Sequence, residues 1–244
     1  MFSEICWRFV RDNALEKWLS QNAELRDGQG FNKKTGARIS ACVPMHSFGF
    51  PLRIAEIVEI CEAFGITVIE DTAESLGSYV GDRHTGAFGE LATLSFNGNK
   101  VITTGGGGMI LTDNDKLAKK AFHLTTTAKV PHPYEFVHDE VGYNYRLPNL
   151  NAALGCAQME NLNAMLYIKA DIAANYRAFC LKHGFQFVNG IENTRPNYWL
   201  NAIILNSITE RNAFLNYLNE QQVMSRPIWR LMTCSSSQVR PSSQ

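Results

Sequence analysis

Leu52-Arg-Ile-Ala-Glu-Ile-Val-Glu-Ile-Cys-Glu-Ala-Phe-Gly65-Ile-Thr-Val-Ile-Glu-Asp71 decides the fold. Apolar residues at 54, 57, 58, 60, 61 and 64 recur at helical spacing, so 52–64 reads as a helix. Gly65 ends it as a C-cap, and 66–71 follows as a buried strand that finishes in two carboxylates. Ahead of the helix, Arg38-Ile-Ser-Ala-Cys-Val-Pro-Met-His46 is an apolar run ending in a polar residue, a second strand. A strand-helix-strand unit is right-handed and belongs to a parallel sheet, whose ligands gather beyond the carboxyl ends of the strands. His46 and Asp71 both fall there.

Working outward, 91–96 and 108–112 supply two further short strands, and 114–124 a helix after the second. Pro131, Pro133 and Pro148 make 125–150 an irregular connector. One long helical pattern runs over 149–180 and is stopped by Gly184; 198–205 reads as a strand and 208–219 as a helix. The expectation is an α/β protein with a mostly parallel sheet in a large domain over 1–165 and a smaller α/β domain over 166–244.

The 244 residues carry 23 Lys+Arg against 23 Asp+Glu with no basic block, which argues against a nucleic-acid backbone or an anionic membrane as partner. Six cysteines (Cys6, Cys42, Cys61, Cys156, Cys180, Cys234) show no paired spacing, the usage of a reducing compartment. Glu4 and Arg8 interrupt the only candidate leader, and no run approaches a membrane span. A soluble, cytoplasmic protein is expected.

Chemistry concentrates at Lys100, which closes Thr93-Leu-Ser-Phe-Asn-Gly-Asn-Lys100 and precedes Val-Ile-Thr-Thr-Gly-Gly-Gly-Gly108. A strand, a polar turn, one amine and a glycine tract suit a lysine that must attack a carbonyl at the edge of a rigid element. Pyridoxal 5'-phosphate (PLP) chemistry asks for such a lysine, a carboxylate that keeps the pyridine nitrogen protonated, and donors for the phosphate. Asp71 at a strand end suits the carboxylate, although a helix N-cap for Ala73-Glu-Ser-Leu76 is the simpler reading of that residue alone. Ser95 could offer its hydroxyl to the phosphate. His46 reads as a local hydrogen-bond partner, Tyr198 and Trp199 as core, and Cys61 and Cys180 as packing. His132 and His138 lack ligands at metal spacing, so no metal is expected.

Four motifs in order, His46-Ser-Phe-Gly49, Glu70-Asp-Thr-Ala-Glu-Ser-Leu-Gly77, Ser95-Phe-Asn-Gly-Asn-Lys100 and Gly142-Tyr-Asn-Tyr-Arg-Leu147, resemble the DegT/DnrJ/EryC1/StrS sugar aminotransferases. Asn97-Gly-Asn-Lys-Val-Ile-Thr-Thr-Gly105 and the stretch 125–138 are most similar to the LegC-like branch, which aminates a UDP-linked 4-keto-6-deoxy amino sugar for nonulosonic acids. The resemblance implies PLP-dependent transferase fold type I, aspartate aminotransferase-like. It implies Lys100 as the cofactor-binding lysine and proton shuttle, Asp71 at the pyridine nitrogen and Ser95 at the phosphate. Glu74 stands where relatives carry Gln or His near the ring hydroxyl. Asn144 matches the asparagine that reaches the neighbouring subunit's phosphate, so a homodimer is implied, with a nucleotide sugar and an amino donor such as glutamate as substrates. Arg146 would brace that loop.

The same resemblance leads one to expect a phosphate-binding Gly-Thr loop and a ring-stacking aromatic near the front, and neither is found before Arg38. Residues 1–12 and 233–244 read as foreign ends on a chain truncated at both sides, with large and small domains both incomplete. A non-catalytic remnant of such an enzyme is the alternative expectation.

Overall fold

The computed structural model describes residues 14–229. The helix α1 (Ala14–Asn22) leads into a hairpin of β1 (Ala23–Arg26) and β2 (Gln29–Asn32), then β3 (Ala41–Cys42), α2 (Ile54–Ala63) and β4 (Thr67–Asp71). A small excursion, β5 (Tyr79–Val80) and β6 (Arg83–His84), precedes β7 (Leu91–Ser95), β8 (Gly108–Leu111) and α3 (Asp115–Thr125). Next come α4 (Asn149–Glu160), α5 (Leu162–His183), β9 (Gln186–Phe187), β10 (Thr194–Arg195), β11 (Ile203–Ile204) and α6 (Ile208–Glu220).

The central sheet has the order β3-β4-β7-β8, with β3, β4 and β7 parallel and β8 antiparallel on its edge. The expected strand-helix-strand unit is present: α2 lies between the parallel strands β3 and β4. It buries Ile54 and Cys61 in one cluster with Leu19, Ala23, Ile66 and Val68, so the apolar face read from the sequence is the face that packs. Gly65 follows the helix at φ 59°, and a Cβ there would lie 2.3 Å from the Gly28 carbonyl oxygen. That close approach lets the β1-β2 hairpin dock on the helix end, where the Gly30 amide donates to Phe64 O at 2.7 Å.

Two expectations need correction. The helical run over 149–180 is two helices, because Asn161 donates its side-chain amide back to Ala157 O and its backbone turns to φ −100°, ψ 1°. The strand over 198–205 shrinks to Ile203–Ile204, since Tyr198 is left-handed (φ 50°) and the chain turns at Trp199. The α1 helix and the β1-β2 hairpin ahead of Arg38 were not anticipated. The expected division at 165/166 falls inside α5, which is continuous through it; a second core cluster, Ala173, Cys180 and Phe187 with Phe185, Tyr198 and Ile203, lies wholly beyond it. The expected foreign ends, with Cys6 and Cys234, lie outside the described residues.

The four cysteines among the described residues are free thiols. Cys42 on β3 meets Cys61 on α2, and the hydrogen bond from Cys61 holds the Cys42 thiol down to about 7. No helix among the described residues is long and apolar enough to cross a membrane.

One buried ionic group ties the sheet to its loops. Glu70, fully buried, accepts from Phe88 N (2.6 Å), Gly89 N (2.7 Å), Gly86 N (2.8 Å) and His46 Nε2 (3.0 Å). His46 Nδ1 accepts from Leu52 N at 3.1 Å, so the ring proton sits on Nε2 and is donated to Glu70. Burial alone would raise the Glu70 carboxyl, but His46 and the three amides outweigh it and hold it below its ordinary value. A carboxyl depressed in the folded state stabilises the fold above its unfolded value, and that stability is lost as pH falls. Glu70→Gln should therefore cost about 3 kcal/mol at neutral pH. In urea titrations the wild-type and variant midpoints should converge as the pH is lowered below about 4.5, the ordinary value of this carboxyl.

Candidate active site

Pairing of β4 with β7 sets Asp71 opposite Thr93, so Asp71 and Ser95 close two adjacent parallel strands at their carboxyl ends. Asp71 is anchored through its backbone: its N–H donates to Pro44 O and its carbonyl accepts from His46 N. Its Oδ1 accepts from Ala73 N at 3.1 Å. No helix follows, so the cap reading becomes a turn: Thr72 ties this loop to β7 through two bonds to Thr93 O. Ser95 Oγ accepts a long bond from Asn97 N (3.4 Å), and Lys100 N closes the turn on Asn97 O at 3.0 Å.

The glycine tract folds the chain back into β8. Gly107 has φ 115°, and a Cβ on Gly108 would stand 2.4 Å from Leu94 O, inside the β7-β8 pair. The tract therefore serves the strand pairing.

Lys100 turns its amine toward Glu74. Its Nζ lies 3.8 Å from Glu74 Oε1, with side chains only 13% and 10% exposed. The other oxygen, Glu74 Oε2, accepts from Phe48 N at 2.7 Å, and Phe48 holds the left-handed conformation (φ 59°) that aims this amide. Burial raises the Glu74 carboxyl; the Phe48 amide and Lys100 pull it down, the Asp71 charge adds to the rise, and the net effect is upward. Asp71 and Glu74 thus come from the end of β4 and its loop, Ser95 and Lys100 from the end of β7 and its turn, two neighbouring segments of one sheet edge. Asn144 does not join them. It is exposed on the 125–150 connector, in an antiparallel bridge to Thr126. Arg146 stacks its guanidinium over Phe122 at 4.7 Å and braces that connector, as expected.

The core reading of Trp199 holds, but its contact with Lys100 was missed, as was Asn197. The Lys100 Nζ sits 4.2 Å from the Trp199 ring centroid. The indole N–H donates to Asn99 O at 2.6 Å. Asn197, 1% exposed, donates from Nδ2 to Glu74 O (2.8 Å) and Leu76 O (2.9 Å), while its Oδ1 accepts from Trp199 N. Its own backbone N–H reaches Ser78 Oγ at 3.0 Å. Phe48 and Trp229 lie beside the indole, at 6.4 and 6.3 Å between ring centroids. An asparagine directly ahead of the apolar run 198–205 was the one signal available.

Away from this pocket, the carboxylates of Asp139 and Glu140 approach His123, with ligand atoms within 4.8 Å of one another, but Lys120 already binds Glu140 and His123 binds Asp139 at 2.6 Å. His132 and His138 serve their own loop, through Glu135 N and Thr127 O.

A sequence model described as the DegT/DnrJ/EryC1/StrS aminotransferase family matches residues 29–241. GDP-perosamine synthase of Vibrio cholerae is 36% identical over 200 residues, which are 81% of this chain and 53% of that protein. EpsN of Bacillus subtilis (strain 168), provisionally named a pyridoxal phosphate-dependent aminotransferase, is 33% identical over 221 residues, 90% of this chain and 56% of EpsN. The aminotransferase TlmJ from Streptoalloteichus hindustanus superposes with a TM-score of 0.72 at 25% identity, covering 78% of this chain and 52% of TlmJ. The chain spans about half the length of the curated relatives it matches.

The fit at Gly49 gives a direct check on how the pocket is held. Gly49 has φ 84°, and a Cβ there would lie 1.7 Å from Asn197 Oδ1. Gly49→Ala should cost about 2 kcal/mol or more in thermal or urea unfolding and shift the tryptophan emission, because Asn197 and with it Trp199 must move.

Proposed function

The chain belongs to the DegT/DnrJ/EryC1/StrS aminotransferase family, and we propose that it acts as a PLP-dependent sugar aminotransferase. Its reaction would carry an amino group from an amino acid, glutamate, to the keto carbon of a nucleotide-linked sugar, a UDP-linked 4-keto-6-deoxy amino sugar, in the cytoplasm. The observation that carries this reading is Lys100: an amine at the carboxyl edge of a mostly parallel sheet, next to the half-buried Glu74, whose carboxyl also feels the charge of Asp71.

The residues present fit PLP by the chemistry of their donor set. Lys100 would hold the cofactor covalently through Nζ, Asp71 would keep a proton on the pyridine nitrogen, and Ser95 would donate its hydroxyl to the phosphate. PLP, when bound, supplies an electron sink for the carbon that gains or loses the amino group. Glu74 orients the Lys100 side chain and, with its carboxyl held upward by burial, can share a proton with it. Lys100 Nζ then carries that proton to and from the reacting carbon. Asn144, exposed on the connector, is free to reach a second copy of the chain, and we propose a homodimer in which it serves the partner's phosphate. The regions 1–165 and 166–244 would form the cofactor-binding and small domains of each subunit.

Incubation with PLP followed by borohydride should fix a phosphopyridoxyl mass on Lys100, found by peptide mapping and lost in Lys100→Ala. Asp71→Ala should weaken PLP binding by roughly tenfold or more, the worth of one charge-assisted hydrogen bond. A wild-type chain that takes no label at Lys100 would instead be a non-catalytic member of the family.

A further inference from the structure

We propose that Trp199 is a positioning residue for Lys100: a rigid aromatic face that holds the amine beside Glu74. The proposal rests on the reading of Lys100 as the reactive amine.

Two observations set Trp199 apart from an ordinary buried tryptophan. The first is how completely it is fixed. Its backbone N–H donates to Asn197 Oδ1 at 2.8 Å, its indole N–H to Asn99 O at 2.6 Å, and its carbonyl accepts from Lys169 Nζ at 3.4 Å. Asn197 is in turn held by Glu74 O, Leu76 O and Ser78 Oγ, so the loop that carries Glu74 also fixes the segment that carries the indole. The second is what the fixed ring meets. None of those bonds involves Lys100, yet the ring face receives its ammonium at 4.2 Å while Glu74 Oε1 stands 3.8 Å from the same nitrogen.

Satisfying an indole N–H explains a buried tryptophan anywhere in a core. It does not explain a ring face turned to the Lys100 amine, where the negative π-surface attracts a cation and the low exposure strengthens the attraction. With a carboxylate oxygen and a ring face both in contact, the lysine side chain loses most of its rotamer freedom. The amine is thereby delivered to one place before any ligand arrives.

The test is competitive labelling of the protein without PLP, using a trace of acetic anhydride and reading each lysine by mass spectrometry against the exposed Lys116 and Lys119. Trp199→Leu, which removes the ring face, should raise Lys100 labelling by roughly three- to tenfold, and Trp199→Phe, which keeps one, should stay within about twofold of wild type. Both substitutions open a cavity, so thermal unfolding should fall in both. After PLP and borohydride, the yield at Lys100 should drop in Trp199→Leu and be rescued in Trp199→Phe. Equal labelling of Lys100 in the two variants would reduce Trp199 to packing and overturn the proposal. A wild-type chain that takes no PLP but still separates Leu from Phe in the anhydride experiment would fail the functional reading and leave the positioning role standing.

Discussion

The buried carboxylate of Glu70 is the constraint on which the rest of the site depends. An uncompensated charge in the interior would cost several kcal/mol, and here His46 and three amides of the 86–89 loop supply four donors to it. Those bonds fix the turn at 46–52 from one side and the loop at 86–89 from the other. Because successive side chains of a strand face opposite sides, fixing Glu70 inward leaves the next residue, Asp71, facing the other way, at the open end of the sheet. Three acidic residues within five positions thus meet three environments. Glu70 is spent on structure, Asp71 ends the strand, and Glu74 is carried by the following turns to Lys100.

Much of this was legible before any coordinates. The 3.6-residue period of 52–64 and the glycine behind it could hardly mean anything but a helix returning to a parallel strand, and α2 and β4 lie where that period puts them. The meeting of Asp71 and Ser95 at one sheet edge was legible too: each closes a strand with an apolar run, Lys100 follows in the turn after the second, and parallel strands bring their carboxyl ends together. His46 was also read correctly as a hydrogen-bond partner, since a histidine at that edge beside a buried acid has a ready use.

What escaped the sequence depends on contacts between distant segments. Trp199 lies in an apolar run and looks like core by composition; only the fold shows that one face of the indole meets a cation. The break at Asn161 was hidden because its neighbours keep the helical pattern and only a side chain bonding back to its own helix ends it. The hairpin ahead of Arg38 is short and polar, with a burial pattern that alternates weakly, and its place is set by Phe64 and Gly65 more than by its own residues.

The Asn197 clasp joins residues separated by 119 to 123 positions along the chain. Contacts of such long range close late, after the local strand and helix pairs have formed, because the intervening loop entropy must be met first. During synthesis from the N-terminus, the sheet edge with Asp71, Ser95 and Lys100 is complete long before residue 199 leaves the ribosome. The nascent chain therefore carries the Lys100 amine for some time without the indole that later lies against it. The surroundings of Lys100 are thus completed only at the last stage of folding, and a probe that senses the indole beside the amine reports that the stage has been reached.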